Sequence, residues 1–173
     1  MEKTEPPSAT LVVCDAGPMI HLDELGCLDL LEDFSEVLVP QAVWQEVRRH
    51  RPHIEETSLR TLRLINPSAP PPPELAVLAQ VLSLHLGEWE ALRLAWERRP
   101  CLFLTDDTAA RLAAGNLGLS THGTIGILVR AIRRNLRSKE DILTTLRSLP
   151  SKSTLHLKQS LLDSVIRQVE QLA

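Results

Sequence analysis

A chain of 173 residues, 43% hydrophobic and 24% charged, has the size and balance of one globular domain with a real core. Its net charge of −3 excludes a globally basic surface, so any polyanion site has to be a local patch. Aromatics at 3% leave Leu, Val, Ile and Ala to fill the core and provide little material for stacking nucleobases.

The basic residues are nearly all Arg, the side chain that meets phosphate with two parallel N–H groups; Lys3, Lys139, Lys152 and Lys158 are the lysines. Cys14, Cys27 and Cys101 show no Cys-x-x-Cys spacing, which argues against a disulfide framework or a zinc site and suits a reducing cytoplasm. Residues 1–9 are polar and proline-containing, read as a disordered N-terminus rather than a signal peptide. No apolar run is long enough to span a membrane. Residues 10–173 are expected to form a single domain, with a core over 11–149 and a C-terminal strand and helix over 155–173.

Leu11-Val12-Val13-Cys14 reads as a buried strand, stopped by Asp15-Ala16-Gly17-Pro18. Pro18 suits the first position of a helix with Gly17 as its cap, which leaves Asp15 unneeded for capping. Apolar residues at helical spacing continue through Leu31, interrupted by Gly26. Val37–Val39 is a second strand, closed by Pro40. Gln41–Arg51 is helical, with Val43 and Val47 on one face, and Pro52–Thr61 is read as a further helix. Leu62–Ile65 is a short strand. Residues 66–73 form a stiff, proline-rich loop. Helices follow over 74–86 and 88–99, separated by Gly87. A buried strand over Cys101–Thr105 leads to a helix over 106–117. Leu119–Thr121 is a strand, 124–136 a helix, and 138–149 a helix capped by Ser138. Pro150–Thr154 is a linker, Leu155–Leu157 an edge strand and 158–172 a closing helix. Strands alternating with helices predict an α/β fold whose mostly parallel sheet carries helices on both faces.

Asp15 and the Asp106-Asp107 pair fall at the carboxyl ends of strands, which point the same way in a parallel sheet and face the crevice where such folds bind ligands. Glu88 opens one helix and Glu46 lies on another. Carboxylates gathered in a low-dielectric cleft repel one another, and a divalent cation removes that penalty. Mg²⁺ or Mn²⁺ prefers oxygen ligands and supports phosphodiester hydrolysis. No His adjoins these motifs, so a histidine-based metal site has little support. Each acid also has a structural alternative: Asp106 as a helix cap, Glu88 as a first-turn acid, Glu46 as a solvated residue.

Asp15-Ala16-Gly17-Pro18-Met19-Ile20, Val39-Pro40-Gln41-Ala42-Val43-Trp44-Gln45-Glu46-Val47, Gly87-Glu88-Trp89-Glu90-Ala91 and Thr105-Asp106-Asp107-Thr108-Ala109-Ala110-Arg111, taken in this order and spacing, resemble the PIN-domain proteins. The segment Gly123-Thr124-Ile125-Gly126-Ile127-Leu128 is similar to a prokaryotic branch related to VapC-type toxin ribonucleases. The resemblance implies a Rossmann-like three-layer α/β/α fold and metal-dependent cleavage of RNA by an acidic pocket that binds Mg²⁺ or Mn²⁺. Carried over by motif, Asp15, Glu46, Glu88 and Asp107 are the catalytic acids, with Asp15, Glu88, Asp106 and Asp107 as metal ligands; the doublet leaves Asp106 and Asp107 ambiguous. Gly17 stands where many members have Ser or Thr near the metal, Glu88 where the better-known toxins have Asp, and Thr108 where Arg is frequent.

Arg130, Arg134 and Arg137 share a helix face and are candidate RNA-binding residues, with a solvated face as the alternative. Arg48, Arg49 and Arg51 form a second cluster, and Arg111 is placed to pair with the acids. Leu22, Leu25, Leu30 and Leu31 are either core or a surface for a homodimer or an antitoxin helix. The leading reading is an endoribonuclease held inactive by a protein partner. The alternative is a non-catalytic RNA- or protein-binding module that keeps the fold. A phosphoacceptor domain is disfavoured, because Lys139 and Lys152 fall at a helix start and in a linker rather than beside the acids.

Overall fold

The structure, a computed structural model, describes residues 8–172. The expected disorder of the N-terminus falls largely on residues outside this range; the first strand, β1, already begins at Ser8 and runs to Cys14. The other strands are β2 (Phe34–Val39), β3 (Leu62–Leu64), β4 (Leu102–Leu104) and β5 (Ser120–His122), all paired in parallel in the order β3-β2-β1-β4-β5. The central β1 is apolar on both faces because both are covered: Val12, Val13 and Cys14 are wholly buried, as are Phe103 and Leu104 beside them. Cys14 is an inert core thiol, its ionisation suppressed by burial and by the charges of Asp15 and Asp106.

Helices cover both faces in a three-layer α/β/α arrangement: α1 (Ala16–Glu24), α2 (Gln41–His50), α3 (Pro73–Val81), α4 (Leu86–Glu97), α5 (Thr108–Asn116), α6 (Thr124–Arg133), α7 (Lys139–Lys152) and α8 (Gln159–Glu170). The chain leaves β1 toward β2 and β3, then crosses back to place β4 on the other side of β1. The strand order therefore reverses between β1 and β4, which opens a crevice at their carboxyl ends.

Several local expectations change. Between 52 and 61 only a 3₁₀ turn forms, Glu56–Ser58. The buried side chains there, Ile54 and Leu59, are five apart and cannot share a helix face. α3 stops at Val81, where the chain turns through Ser83 in the left-handed region, and Gly87 lies inside α4 rather than before it. α7 continues through Pro150 because Leu146 and Leu149 are buried beneath it and the Ser153 N–H closes the last turn on the Leu149 carbonyl. Leu155–Leu157 is extended but joins no strand. This strap, residues 153–158, crosses the carboxyl end of the sheet. It is tied to α1 by Glu24, which accepts from the Ser153 hydroxyl at 2.8 Å and from the Thr154 N–H at 2.7 Å. Leu22, Leu30 and Leu31 are core residues and Leu25 is half-buried against them, so they form no exposed partner surface.

Candidate active site

Asp15 follows β1 directly, its N–H bonded to the Leu104 carbonyl at 2.9 Å. It caps α1, which begins at Ala16 rather than at Pro18: Oδ1 accepts from the Ala16 N–H at 2.8 Å. Oδ2 accepts from the Thr105 hydroxyl at 3.0 Å. The same hydroxyl accepts from the Asp107 N–H at 3.2 Å, so Thr105, fully buried, joins the two strand ends. With its side chain 5% exposed, Asp15 is pushed up to about pKa 7, chiefly by burial, with the charges of Glu88 and Glu46 adding to the rise against its two hydrogen bonds.

Glu46 and Glu88 come from α2 and α4, which cross closely at Gly87. A β-carbon there would stand 3.2 Å from Glu46 Oε2, so the missing side chain lets that carboxylate lie against the first turn of α4. Glu88 closes a capping box, accepting from the His85 N–H at 2.8 Å. Burial raises its pKa and the charges of Asp107 and Glu46 add to that. Asp15, Glu46, Glu88, Asp106 and Asp107 thus line one pocket of about 390 Å³, and no Lys or Arg lines it with them.

The two adjacent aspartates have different surroundings. Asp107 caps α5, accepting from the Ala110 N–H at 2.7 Å. Asp106 accepts from His21 Nδ1 at 2.8 Å, the Thr124 N–H at 2.7 Å and the Thr124 hydroxyl at 2.6 Å, which fastens α1 and α6 to the end of β4. Burial opposes its ionisation, but these bonds outweigh it and its pKa falls below the ordinary value. Gly123 is required at this junction, because a β-carbon would stand 2.5 Å from Asp106 Oδ1. His21 and His156 both line the pocket, although sequence spacing placed no histidine beside the acids.

The arginine cluster sits elsewhere. Arg130 and Arg134 grip the buried Asp33 at 2.7 and 3.1 Å, and Arg137 meets Asp29 at 2.5 Å. None of the three lines the acidic pocket. Arg111 donates to the Thr105 carbonyl at 3.0 Å rather than to a carboxylate. Arg48 bonds the Ile54 carbonyl and Arg51 pairs with Asp23.

Among the described residues, no three acidic, imidazole or thiol groups stand close enough together to hold a metal ion as they are placed. The donor chemistry does fit an oxygen-preferring divalent cation. Carboxylates from four elements face one hollow, with no Lys or Arg among its lining residues to offset their charge, and one is driven toward protonation.

A doubly wound parallel sheet with an acidic pocket at its switch point defines the class of α/β proteins that bind their ligands at the carboxyl ends of the strands. The particular family follows from comparison: the family model DUF3368, a PIN domain, matches residues 11–171, and the chain belongs to the PIN-domain family. No curated protein matches the chain. PIN domains are in general nucleases, which makes the chain a hydrolase by family. Among the described residues, no helix is long and apolar enough to cross a membrane.

Proposed function

We propose that the chain is a metal-dependent endoribonuclease that hydrolyses RNA phosphodiesters, related to the VapC-type toxins and restrained in the cytoplasm by an antitoxin protein. One observation carries this reading: Asp15, Glu46, Glu88 and the aspartate pair face a single hollow that no Lys or Arg lines. Asp15, Glu88 and Asp107, with Asp106 at the edge, are the groups that would hold Mg²⁺ or Mn²⁺. Such an ion, when bound, supplies charge for the phosphate and acidifies water.

The chain's own residues do the remaining work. Thr105 and the Ala16 N–H fix the Asp15 carboxylate. Asp106 locks three elements around the pocket floor. Glu46, whose carboxylate makes no hydrogen bond among the described residues, is available to take the proton of an attacking water. Exposed Val77, Val81 and Leu86 offer apolar surface for an antitoxin or a second copy.

The test is cleavage of RNA while Mn²⁺ or Mg²⁺ is titrated, with Asp15→Asn alongside. Turnover that needs the metal and vanishes in the variant supports the proposal; full activity in Asp15→Asn overturns the role of Asp15. The rival reading is a non-catalytic RNA- or protein-binding module that keeps the fold. RNA binding without turnover, unchanged by metal, would establish that rival.

A further inference from the structure

Beside the acidic pocket lies a larger hollow of about 530 Å³. The two share Asp106, Thr108, Leu155 and His156, so one continuous trough runs from the carboxylates under the strap. The electrostatic character changes along it. Arg111 of α5 and Lys158 at the end of the strap line the second hollow, together with His122 and His156, and Asp106 is the one carboxylate in its lining. Its apolar lining is Ile125 of α6, Leu157 of the strap, and Leu161 and Val165 of α8. Among the described residues neither Arg111 nor Lys158 pairs with a carboxylate. The bond from Arg111 to the Thr105 carbonyl fixes its guanidinium near the boundary between the hollows while using one of five N–H donors.

We propose that this hollow is the subsite for the nucleotide flanking the scissile phosphate of single-stranded RNA, with the base on Ile125, Leu157, Leu161 and Val165 and the adjacent phosphate on Arg111 and Lys158. The identity of the polymer rests on the ribonuclease reading above. Charge complementarity selects the occupant: a chain carrying a phosphate at every nucleotide meets the acids at one phosphate and the cations at the next. The volume lies within the range of small-ligand sites, about 300–1,000 Å³. A concave, aliphatic lining takes the face of an unpaired base, which only a single strand can present. Desolvation and the neighbouring charges of Arg133, Arg130 and Arg111 lower the pKa of His122, whose ring is a further hydrogen-bonding group in the lining. Glu24 holds the shared wall in place through Ser153 and Thr154.

The experiment measures the anisotropy of a short fluorescein-labelled single-stranded RNA on the full chain without divalent metal, across a salt series. The variants are Lys158→Glu and Leu161→Glu, both at exposed positions, with folding checked by circular dichroism. Affinity is expected to fall about tenfold in each. In Lys158→Glu the slope of log K against log salt is expected to shrink by about 0.7, because one phosphate is no longer neutralised. Wild-type affinity and slope in both variants overturn the subsite, as does a wild-type chain that binds no RNA. Because binding is read without turnover, the two readings fail separately. A chain that binds RNA through these residues but never cleaves it defeats the nuclease and supports the subsite. A chain that cleaves while both variants bind normally does the reverse.

Discussion

Asp15 and Asp33 are the two buried aspartates among the described residues, 5% and 7% exposed, and they have opposite surroundings. Asp33 is enclosed by Arg130 and Arg134, and the Arg130 guanidinium also lies 4.8 Å over the Phe34 ring. Its charge is matched on the spot, and the cluster clasps α6 to the turn before β2. Asp15 has two hydrogen bonds and no ion pair among the described residues, and the charges of Glu88 and Glu46 repel it. A fold places a matched carboxylate for cohesion; an unmatched one destabilises the empty protein and is kept for what it can bind.

This contrast can be broken at either end. Asp15→Asn keeps the shape and removes the charge, and RNA cleavage in saturating metal should fall about a thousandfold; a steady-state assay decides. Asp33→Ala should instead leave cleavage per folded molecule intact. It strands two arginines and should cost about 3 kcal/mol in a urea melt. An unchanged midpoint would show that the clasp is ornamental.

The third outcome concerns pH. The folded pKa of Asp15, about 7, lies above its ordinary value of 3.8, so the folded state holds its proton more tightly than the unfolded chain. Its contribution is therefore fully present below pH 4 and is lost as pH rises through 7. In metal-free buffer Asp15→Asn should be about 4 kcal/mol more stable than wild type at pH 8, with the gap closing by pH 4. A gap that does not change with pH would refute the electrostatic account. The smallest effect is at Gly17, where a β-carbon would meet Asp106 Cβ at an ordinary 3.5 Å. Gly17→Ala should be neutral or stabilising by up to about 0.5 kcal/mol in thermal melts, because helical Gly carries an entropic cost.

Four of the acids were legible because they follow a local rule, whereas Glu46, in the middle of α2, follows none and came from the family resemblance. Asp15, Asp106 and Asp107 end apolar runs, and Glu88 opens a helix, so the chain order alone brings them to one edge of a parallel sheet. The doublet was not legible. Asp106 and Asp107 differ through His21 and Thr124, 85 and 18 residues away along the chain, and such pairings leave no periodicity to read. The arginine row was visible as a face of α6, but its partner Asp33 lies 97 residues from Arg130. Helical spacing cannot tell a cation aimed at solvent from one aimed at a buried acid. The strap kept the alternation of a strand, with Leu155 and Leu157 half-buried and His156 exposed between them, without the backbone pairing that makes one.

That strap has a consequence for biosynthesis. Every carboxylate of the pocket is translated by residue 107, yet Thr154, Leu155 and His156 complete its wall and can do so only after α7 has emerged. A nascent chain therefore carries its negative charges in an open cleft for the time needed to add roughly forty to fifty residues, a few seconds at ordinary elongation rates. A stop codon introduced after α7 would leave the acids in place with one side of their enclosure gone.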